Sequence, residues 1–166
     1  CKEFQSEEAA LLAVKNLDTL GIEALLIIGG DGSFRGAEHL AKYWKGQVIG
    51  LPGTIDNDIY GSDATIGYFT AIETALDPNA KVRDTADAFE RIFLIEVMGR
   101  NAGFIGLSAA VASAADQVLV PELTADCGVD LNNIIEHVKA ARLKRGNSSY
   151  IIVLTENLWP GGVSNL

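Results

Sequence analysis

The apolar positions of this chain follow two patterns that together predict its fold class. Five short apolar runs are separated by segments in which apolar residues recur every three to four positions. Continuous apolar runs are typical of strands buried on both faces, and the other spacing is typical of helices. Because strands and helices alternate, we predict a doubly wound α/β fold, with mostly parallel strands and helices on both faces. The predicted strands cover residues 24–28, 47–51, 92–97, 117–120 and 150–155.

Local signals mark the ends of the predicted helices. Ser6 can cap a first helix, because its hydroxyl can accept a hydrogen bond from a backbone N–H of the first turn, and Gly21 ends that helix. Pro78 predicts an interruption or the end of the third helix, since proline has no N–H to donate. After the first helix, the predicted helices cover residues 33–44, 65 to about 76, 103–114 and 131–144, and the second of these is the one that Pro78 follows.

Composition limits the classes of function. With 166 residues, 48% of them hydrophobic, the chain can bury a core of its own. A net charge of −9 without a basic stripe argues against nucleic acid as a partner. No apolar stretch approaches the roughly 20 residues of a membrane-spanning helix, so no membrane partner is expected. Several of the 17 glycines directly follow apolar runs, which predicts a binding site built from loops.

Cysteine and histidine give no sign of a zinc site or a disulfide framework. Cys1 and Cys127 form no CxxC pair, and His39 and His137 stand alone, so we expect a reducing, cytoplasmic location. The chain begins at Cys1 without a methionine and stops shortly after the turn-rich residues 159–162. We therefore expect it to be a portion of a longer protein.

A glycine-rich turn, Gly29-Gly30-Asp31-Gly32-Ser33, follows the first predicted strand. Glycines let backbone N–H groups approach phosphate oxygens, and the helix that begins near Ser33 adds the positive end of its dipole. Asp31 can hold Mg²⁺ directly or through water, whereas without a metal its carboxylate would repel a phosphate. The alternative interpretation is a tight connection that binds no ligand.

A second turn, with the sequence PGTIDND at residues 52–58, follows the second predicted strand. Alternation along an extended loop would aim Thr54, Asp56 and Asp58 to one side, which makes a candidate base with two helpers. The alternative is that both aspartates cap a helix or hold the loop through Asx-turns.

Charged residues also stand at the ends of later strands. Arg100 follows the strand at residues 92–97, where its guanidinium can reach a phosphoryl group, and Glu156 ends the last strand in the same way. For each of them the alternative is a structural salt bridge. Arg83 and Arg91 read as solvated charges, and His39 reads as a surface residue on the polar side of its helix.

The motifs GGDGS and PGTIDND, followed by Met98-Gly99-Arg100 and Thr155-Glu156, closely resemble those of bacterial-type ATP-dependent 6-phosphofructokinases. The likeness extends over nearly the whole chain. It implies a glycolytic enzyme that transfers the γ-phosphoryl group of MgATP to the 1-hydroxyl of fructose 6-phosphate. It also implies a cytoplasmic homo-oligomer, which is a tetramer in the family.

The resemblance implies a role for each matching position. Asp56 would take the proton from the sugar hydroxyl, Thr54 would hydrogen-bond the moving phosphoryl group, and Arg100 would stabilise its charge. Asp31 would bind Mg²⁺ beside the ATP phosphates. ATP would also contact Gly30, Gly32, Ser33 and Gly36. Fructose 6-phosphate would contact Thr54, Asp56, Asp58, Met98, Gly99, Arg100, Glu156 and, from a neighbouring subunit, Arg91.

The resemblance also divides the chain. Residues 1–67 would be part of the ATP- and Mg-binding sub-domain and residues 68–166 part of the sugar-phosphate-binding sub-domain, with the site in the cleft. Gly32 and Gly53 favour ATP, because pyrophosphate-dependent relatives typically carry Asp and Lys there. Two alternatives remain: a pyrophosphate-dependent phosphofructokinase, and a non-catalytic nucleotide-binding or regulatory module.

Some positions depart from the family pattern. Family enzymes have a glycine-rich phosphate loop before the matching region and further Arg and His ligands after it, and neither part lies within this chain. Arg83 and Asp116 match positions of an allosteric nucleotide site. The basic residues expected before the last strand are replaced by Asn147, Ser148 and Ser149, so the match to that effector site is incomplete.

Overall fold

All five predicted strands are present in the computed structural model, which describes residues 2–124, 129–146 and 149–158. One parallel sheet pairs β1 with β2, and a second has the parallel order β3-β5-β4. The predicted α/β class with parallel strands is therefore confirmed. The strands are β1 (Ala24–Gly29), β2 (Gln47–Pro52), β3 (Ile92–Val97), β4 (Gln117–Leu119) and β5 (Tyr150–Thr155).

The helices follow the predicted order with shifted ends. Ser6 caps the first helix, where its hydroxyl accepts a hydrogen bond from the Ala9 N–H at 3.3 Å, and Gly21 follows with a φ of +66°. Within the described ranges no helix is long and apolar enough to cross a membrane. The helices are α1 (Glu7–Thr19), α2 (Asp31–Ala41), α3 (Tyr68–Phe89), α4 (Phe104–Ala112), α5 (Pro121–Thr124) and α6 (Leu131–Arg145).

Four features of the sequence lie outside the described residues. These are Cys1, Cys127, the turn-rich residues 159–162, and Asn147 with Ser148. A 3₁₀ turn at Lys2–Gln5 and the four-residue helix α5 were not predicted. Both are too short to produce a recognisable hydrophobic period.

Contacts between residues divide the chain into two units. Unit 1 comprises Cys1–Thr54 and Asp58–Ile66, and unit 2 comprises Ile55–Asn57 and Gly67–Leu166. In unit 1, α2 packs on α1 and on both strands of the first sheet. In unit 2, α4 packs on β4 and β5, and α3 packs on α4, β3 and β5.

The core of unit 2 is built around its central strand. Every residue of β5 is buried, because β3 and β4 flank it and helices pack against it. Strands β1 and β3 alternate between exposed and partly buried positions, so Leu26 and Ile28 of β1 and Leu94 of β3 keep exposed side chains. A buried cluster within this core contains Leu119, Val138, Tyr150, Ile152 and Leu154.

The prediction that Pro78 would end or interrupt the third helix is wrong. Helix α3 runs over 22 residues with Pro78 inside it. A proline within a helix costs about 3 kcal/mol, because it removes one backbone hydrogen bond and crowds the carbonyl of residue i−4. The packing of α3 against α4 and two strands offsets this cost, which local sequence rules do not include.

The residue after this proline carries a buried polar side chain. Asn79 is 1% exposed, and among the described residues neither its amide nitrogen nor its amide oxygen has a hydrogen-bond partner. We expect Asn79→Leu to raise the free energy of unfolding by about 1–3 kcal/mol, since an apolar side chain of similar shape replaces a buried amide that has lost its hydrogen bonds to water. Urea unfolding would measure the change. Asn79→Ala separates the lost amide from the lost volume, and a lower stability of Asn79→Leu would contradict the interpretation.

Candidate active site

The glycine-rich turn of unit 1 is itself the start of a helix. Helix α2 begins at Asp31, two residues before the predicted start, and Gly30 is its N-cap. The first N–H groups of a helix have no partners within the helix, and the dipole makes this end positive. The Ser33 N–H already donates to the Gly30 carbonyl at 2.9 Å, so the donors that can face an anion belong to the residues before it, where the Asp31 carboxylate also stands.

The two motifs meet in unit 1, because β1 and β2 are parallel neighbours in register from Ala24 to Gly29. The Gly53 N–H donates to the Gly29 carbonyl at 2.7 Å. A Cβ added at Gly30 would lie 3.0 Å from the Thr54 Cβ, so Thr54 rests against the glycine-rich turn. A Cβ at Gly53 would lie 2.8 Å from Ile28 Cγ2, so this approach requires glycine.

A cavity of about 580 Å³ opens beside the first turns of α2 in unit 1. Gly32, Ser33 and Gly36 line it, and so do Phe4 and His39. The Phe4 and His39 rings meet edge to face with centroids 6.2 Å apart. The sequence predicted His39 as a surface residue and gave no role to Phe4. The position of His39 one turn after Gly36 could have indicated that it lines the same cavity.

Asp31 forms an ion pair within its own helix. Arg35 Nε lies 3.1 Å from Asp31 Oδ1 and 3.0 Å from Oδ2, and Arg35 also lines the cavity. Among the described residues no group of three or more His, Cys, Asp or Glu side chains could form a metal site. A single carboxylate beside a phosphate-binding turn nevertheless suits Mg²⁺, which is commonly held by one or two carboxylates together with substrate phosphates.

The candidate base lies in unit 2. Asp56 is only 6% exposed, and Arg100 Nε lies 3.9 Å from Asp56 Oδ2. The turn after β3 thus brings a guanidinium to Asp56 within unit 2. The predicted alternation does not hold along the whole loop, because Asn57 has a φ of +55°. Asp58 is exposed whereas Asp56 is buried.

Glu156 fixes the backbone of the turn that carries Arg100. Its Oε1 accepts hydrogen bonds from the N–H groups of Gly99 at 3.2 Å and of Arg100 at 2.8 Å. Gly99 has a φ of +149°, and a Cβ there would lie 2.6 Å from the Ala102 carbonyl oxygen. Only glycine suits this conformation. Sequence reasoning placed Glu156 near the sugar but missed that it holds this turn.

The remaining candidates contact protein groups of unit 2. The Arg91 guanidinium lies over the Phe89 ring, 4.8 Å from its centroid. Arg83 donates to the Ala114 carbonyl at 2.6 Å, and Asp116 Oδ2 accepts from the Ile151 N–H at 2.8 Å. Met98 is 60% exposed.

Comparisons with known proteins agree with these motifs. The family model described as "Phosphofructokinase" matches residues 1–164. The chain is 47% identical over 163 residues to ATP-dependent 6-phosphofructokinase 2 of Bacteroides thetaiotaomicron, covering 98% of this chain and 49% of the relative. It is also 47% identical over 165 residues to ATP-dependent 6-phosphofructokinase 1 of Thermus thermophilus, covering 99% of this chain and 50% of the relative.

A solved structure gives the same result. Phosphofructokinase of Pichia pastoris in the T-state superposes with a TM-score of 0.82 at 30% identity, over 99% of this chain and 20% of that one. The chain spans about half the length of the curated relatives it matches. The match over residues 1–164 shows that this chain belongs to the phosphofructokinase family.

Proposed function

We propose that this chain provides the base and the nucleotide-binding turn of an ATP-dependent 6-phosphofructokinase. The observation that carries the proposal is the buried Asp56 carboxylate beside the Arg100 guanidinium. A base and a cation at one place are what phosphoryl transfer to a hydroxyl needs, since the reaction depends on positioning and charge stabilisation. The relatives named ATP-dependent 6-phosphofructokinase support this choice of reaction.

In the proposed reaction, Asp56 accepts the proton of the 1-hydroxyl of fructose 6-phosphate. The hydroxyl oxygen forms a bond to the γ-phosphorus, the bond between that phosphorus and the bridging oxygen of ATP breaks, and ADP leaves with the electron pair. The base contributes about 10²–10⁴-fold to the rate. Arg100 stabilises the negative charge on the phosphoryl oxygens, and its Nε lies 3.9 Å from Asp56 Oδ2, so the cation stands beside the base.

Unit 1 holds MgATP in this proposal. The backbone at Gly30 and Gly32 binds phosphate oxygens next to Ser33, and Asp31 holds Mg²⁺, which supplies charge neutralisation of the phosphates when it is bound. Thr54 donates a hydrogen bond to the γ-phosphoryl group, supported by its contact with Gly30. The nucleoside binds in the partly apolar cavity that is lined by Gly36, Phe4 and His39.

Unit 2 holds the sugar phosphate in this proposal. Met98, Gly99 and Arg100 line the sugar, and Glu156 aims this turn through the two N–H groups that it accepts. Asp58 supports the second motif. Arg91 contacts the phosphate of the sugar that is bound by a neighbouring subunit, so the protein acts as a homo-oligomer. Arg83 and Asp116 belong to an effector site.

The proposed choice of ATP over pyrophosphate is supported by the space at Gly32. A Cβ at Gly32 would meet no atom of the described chain within 4 Å, so the space beside the turn is open for a nucleotide. Gly53 has no such space, because any side chain there would press on Ile28. The open space at Gly32 supports a site with the larger donor, whereas the close contact at Gly53 reflects the packing of the two turns and does not distinguish the donors.

A coupled assay for fructose 1,6-bisphosphate tests the proposal on the full-length protein. We expect turnover with fructose 6-phosphate and MgATP, and a rate with magnesium pyrophosphate that is lower by orders of magnitude. A faster reaction with pyrophosphate would favour the other donor. Absence of turnover with both donors, in protein shown to be folded by circular dichroism, would overturn the proposed activity.

A further inference from the structure

The Asp31–Arg35 pair contributes little as a structural element. The two side chains are 45% and 77% exposed, and solvent screens an ion pair of this kind. The pair also lies at an unfavourable end for a cation, since the N-terminus of α2 carries the positive end of the helix dipole. The ion pair therefore does not by itself explain the position of Arg35.

Helix geometry sends Arg35 toward the glycine-rich turn. Helical side chains lean toward the N-terminus, so a long side chain four residues after Asp31 reaches the first turn of the helix. Arg35 lines the cavity together with Gly32, Ser33 and Gly36, and its guanidinium Nε lies 3.0 Å from Asp31 Oδ2 in the first turn. A guanidinium in this place matches phosphate oxygens, to which arginine can donate two parallel hydrogen bonds.

We propose that Arg35 is a nucleotide-binding residue that exchanges one anionic partner for another. It pairs with Asp31 before the ligand arrives, and it donates to an ATP phosphate once Mg²⁺ occupies the Asp31 carboxylate. The proposal rests on the proposed binding of MgATP by unit 1. It adds a residue whose side chain acts on the phosphates directly.

The exchange makes the binding of ATP depend on whether the nucleotide carries its metal. Metal-free ATP must break the ion pair to reach Arg35, and Asp31 is then left facing the phosphates as a bare carboxylate. MgATP satisfies both side chains together, because the metal takes Asp31 and the phosphate takes Arg35. The pair therefore makes the site selective for nucleotide that carries its metal.

Isothermal titration calorimetry with ATP, in excess Mg²⁺ and in EDTA, tests the exchange without measuring turnover. Arg35→Gln should weaken MgATP binding about tenfold or more, since a hydrogen bond to a charged group is lost. Asp31→Asn should also weaken MgATP binding. The same variant should tighten metal-free ATP about tenfold relative to wild type, because Arg35 is released and a repelling carboxylate is removed. The double variant should bind metal-free ATP more weakly than Asp31→Asn alone, because the part of the gain that depends on the released Arg35 is lost.

Lys81→Gln is the matched control, because Lys81 forms an exposed i,i+4 pair with Asp77 on α3, at the same spacing. We expect it to bind ATP as wild type does. Arg35→Gln with wild-type affinity for MgATP would overturn the role of Arg35, and so would Asp31→Asn with no gain for metal-free ATP. A folded wild-type chain that binds no MgATP would overturn the proposed nucleotide site itself, which distinguishes the two failures.

Discussion

Asp56→Asn in the full-length protein is expected to lower kcat by about 10²–10⁴-fold, the usual contribution of a general base. The asparagine amide keeps the size of the carboxylate but cannot accept the proton of the sugar hydroxyl. ATP affinity should stay near the wild-type value, because in the proposed site the backbone of the glycine-rich turn binds the phosphates and Asp31 would hold their Mg²⁺. Steady-state kinetics and ATP titration calorimetry measure the two quantities separately.

The fold should tolerate this substitution. Arg100 has a side chain that is 59% exposed, so water can solvate its charge when the partner carboxylate is lost. Asp77→Asn is the control, since it removes an exposed carboxylate elsewhere in unit 2. A wild-type kcat in Asp56→Asn would remove this residue from the role of base, whereas an equal loss in Asp77→Asn would point to a global effect.

Gly32→Asp is expected to weaken ATP binding by roughly a hundredfold, about 2.8 kcal/mol. Two unit charges 4 Å apart repel by about 4 kcal/mol at an effective dielectric constant of ~20, so a carboxylate at the phosphate-binding turn is sufficient. The fold should be unaffected, because a Cβ at this position meets no described atom within 4 Å and an acidic residue suits the start of a helix. Calorimetry and thermal unfolding test both parts.

Gly32→Ala separates charge from volume at the same position. We expect it to keep most of the ATP affinity, because its methyl group enters open space. Unchanged ATP affinity in Gly32→Asp would show that nucleotide phosphates do not approach this turn. A lower melting temperature of Gly32→Asp would instead show that the open space is needed for the fold.

Secondary structure could be predicted from the sequence wherever the hydrophobic pattern was long or clear turn and capping residues marked the ends of an element. The bounds of β3 and β5 are as predicted, because each apolar run stands between a helix end and a turn. The start of α2 was missed by two residues, since Gly30-Asp31-Gly32 reads as a loop although its first residue caps a helix. Pro78 was misjudged because the packing of α3 outweighs a local rule.

The sequence predicted which residues carry the candidate chemistry, but it did not predict their hydrogen-bond and ion-pair partners. Strong turn motifs singled out Asp31, Asp56 and Arg100. Nothing in the spacing indicated that Glu156 would hold the turn of Arg100, because these residues are more than fifty positions apart. The Asp31–Arg35 pair follows helical spacing and became visible only once the helix was known to begin at Asp31.

The sequence by itself determined the α/β class, the order of strands and helices, and the two glycine-containing turns that carry the candidate chemistry. These follow from hydrophobic period and backbone preference, which act between near neighbours in the chain. The tertiary structure alone decided which strands pair, that Asp56 is buried whereas Asp58 is exposed, and that Arg100 lies beside Asp56. Those outcomes depend on side chains brought together across long separations, where packing and desolvation outweigh local preference.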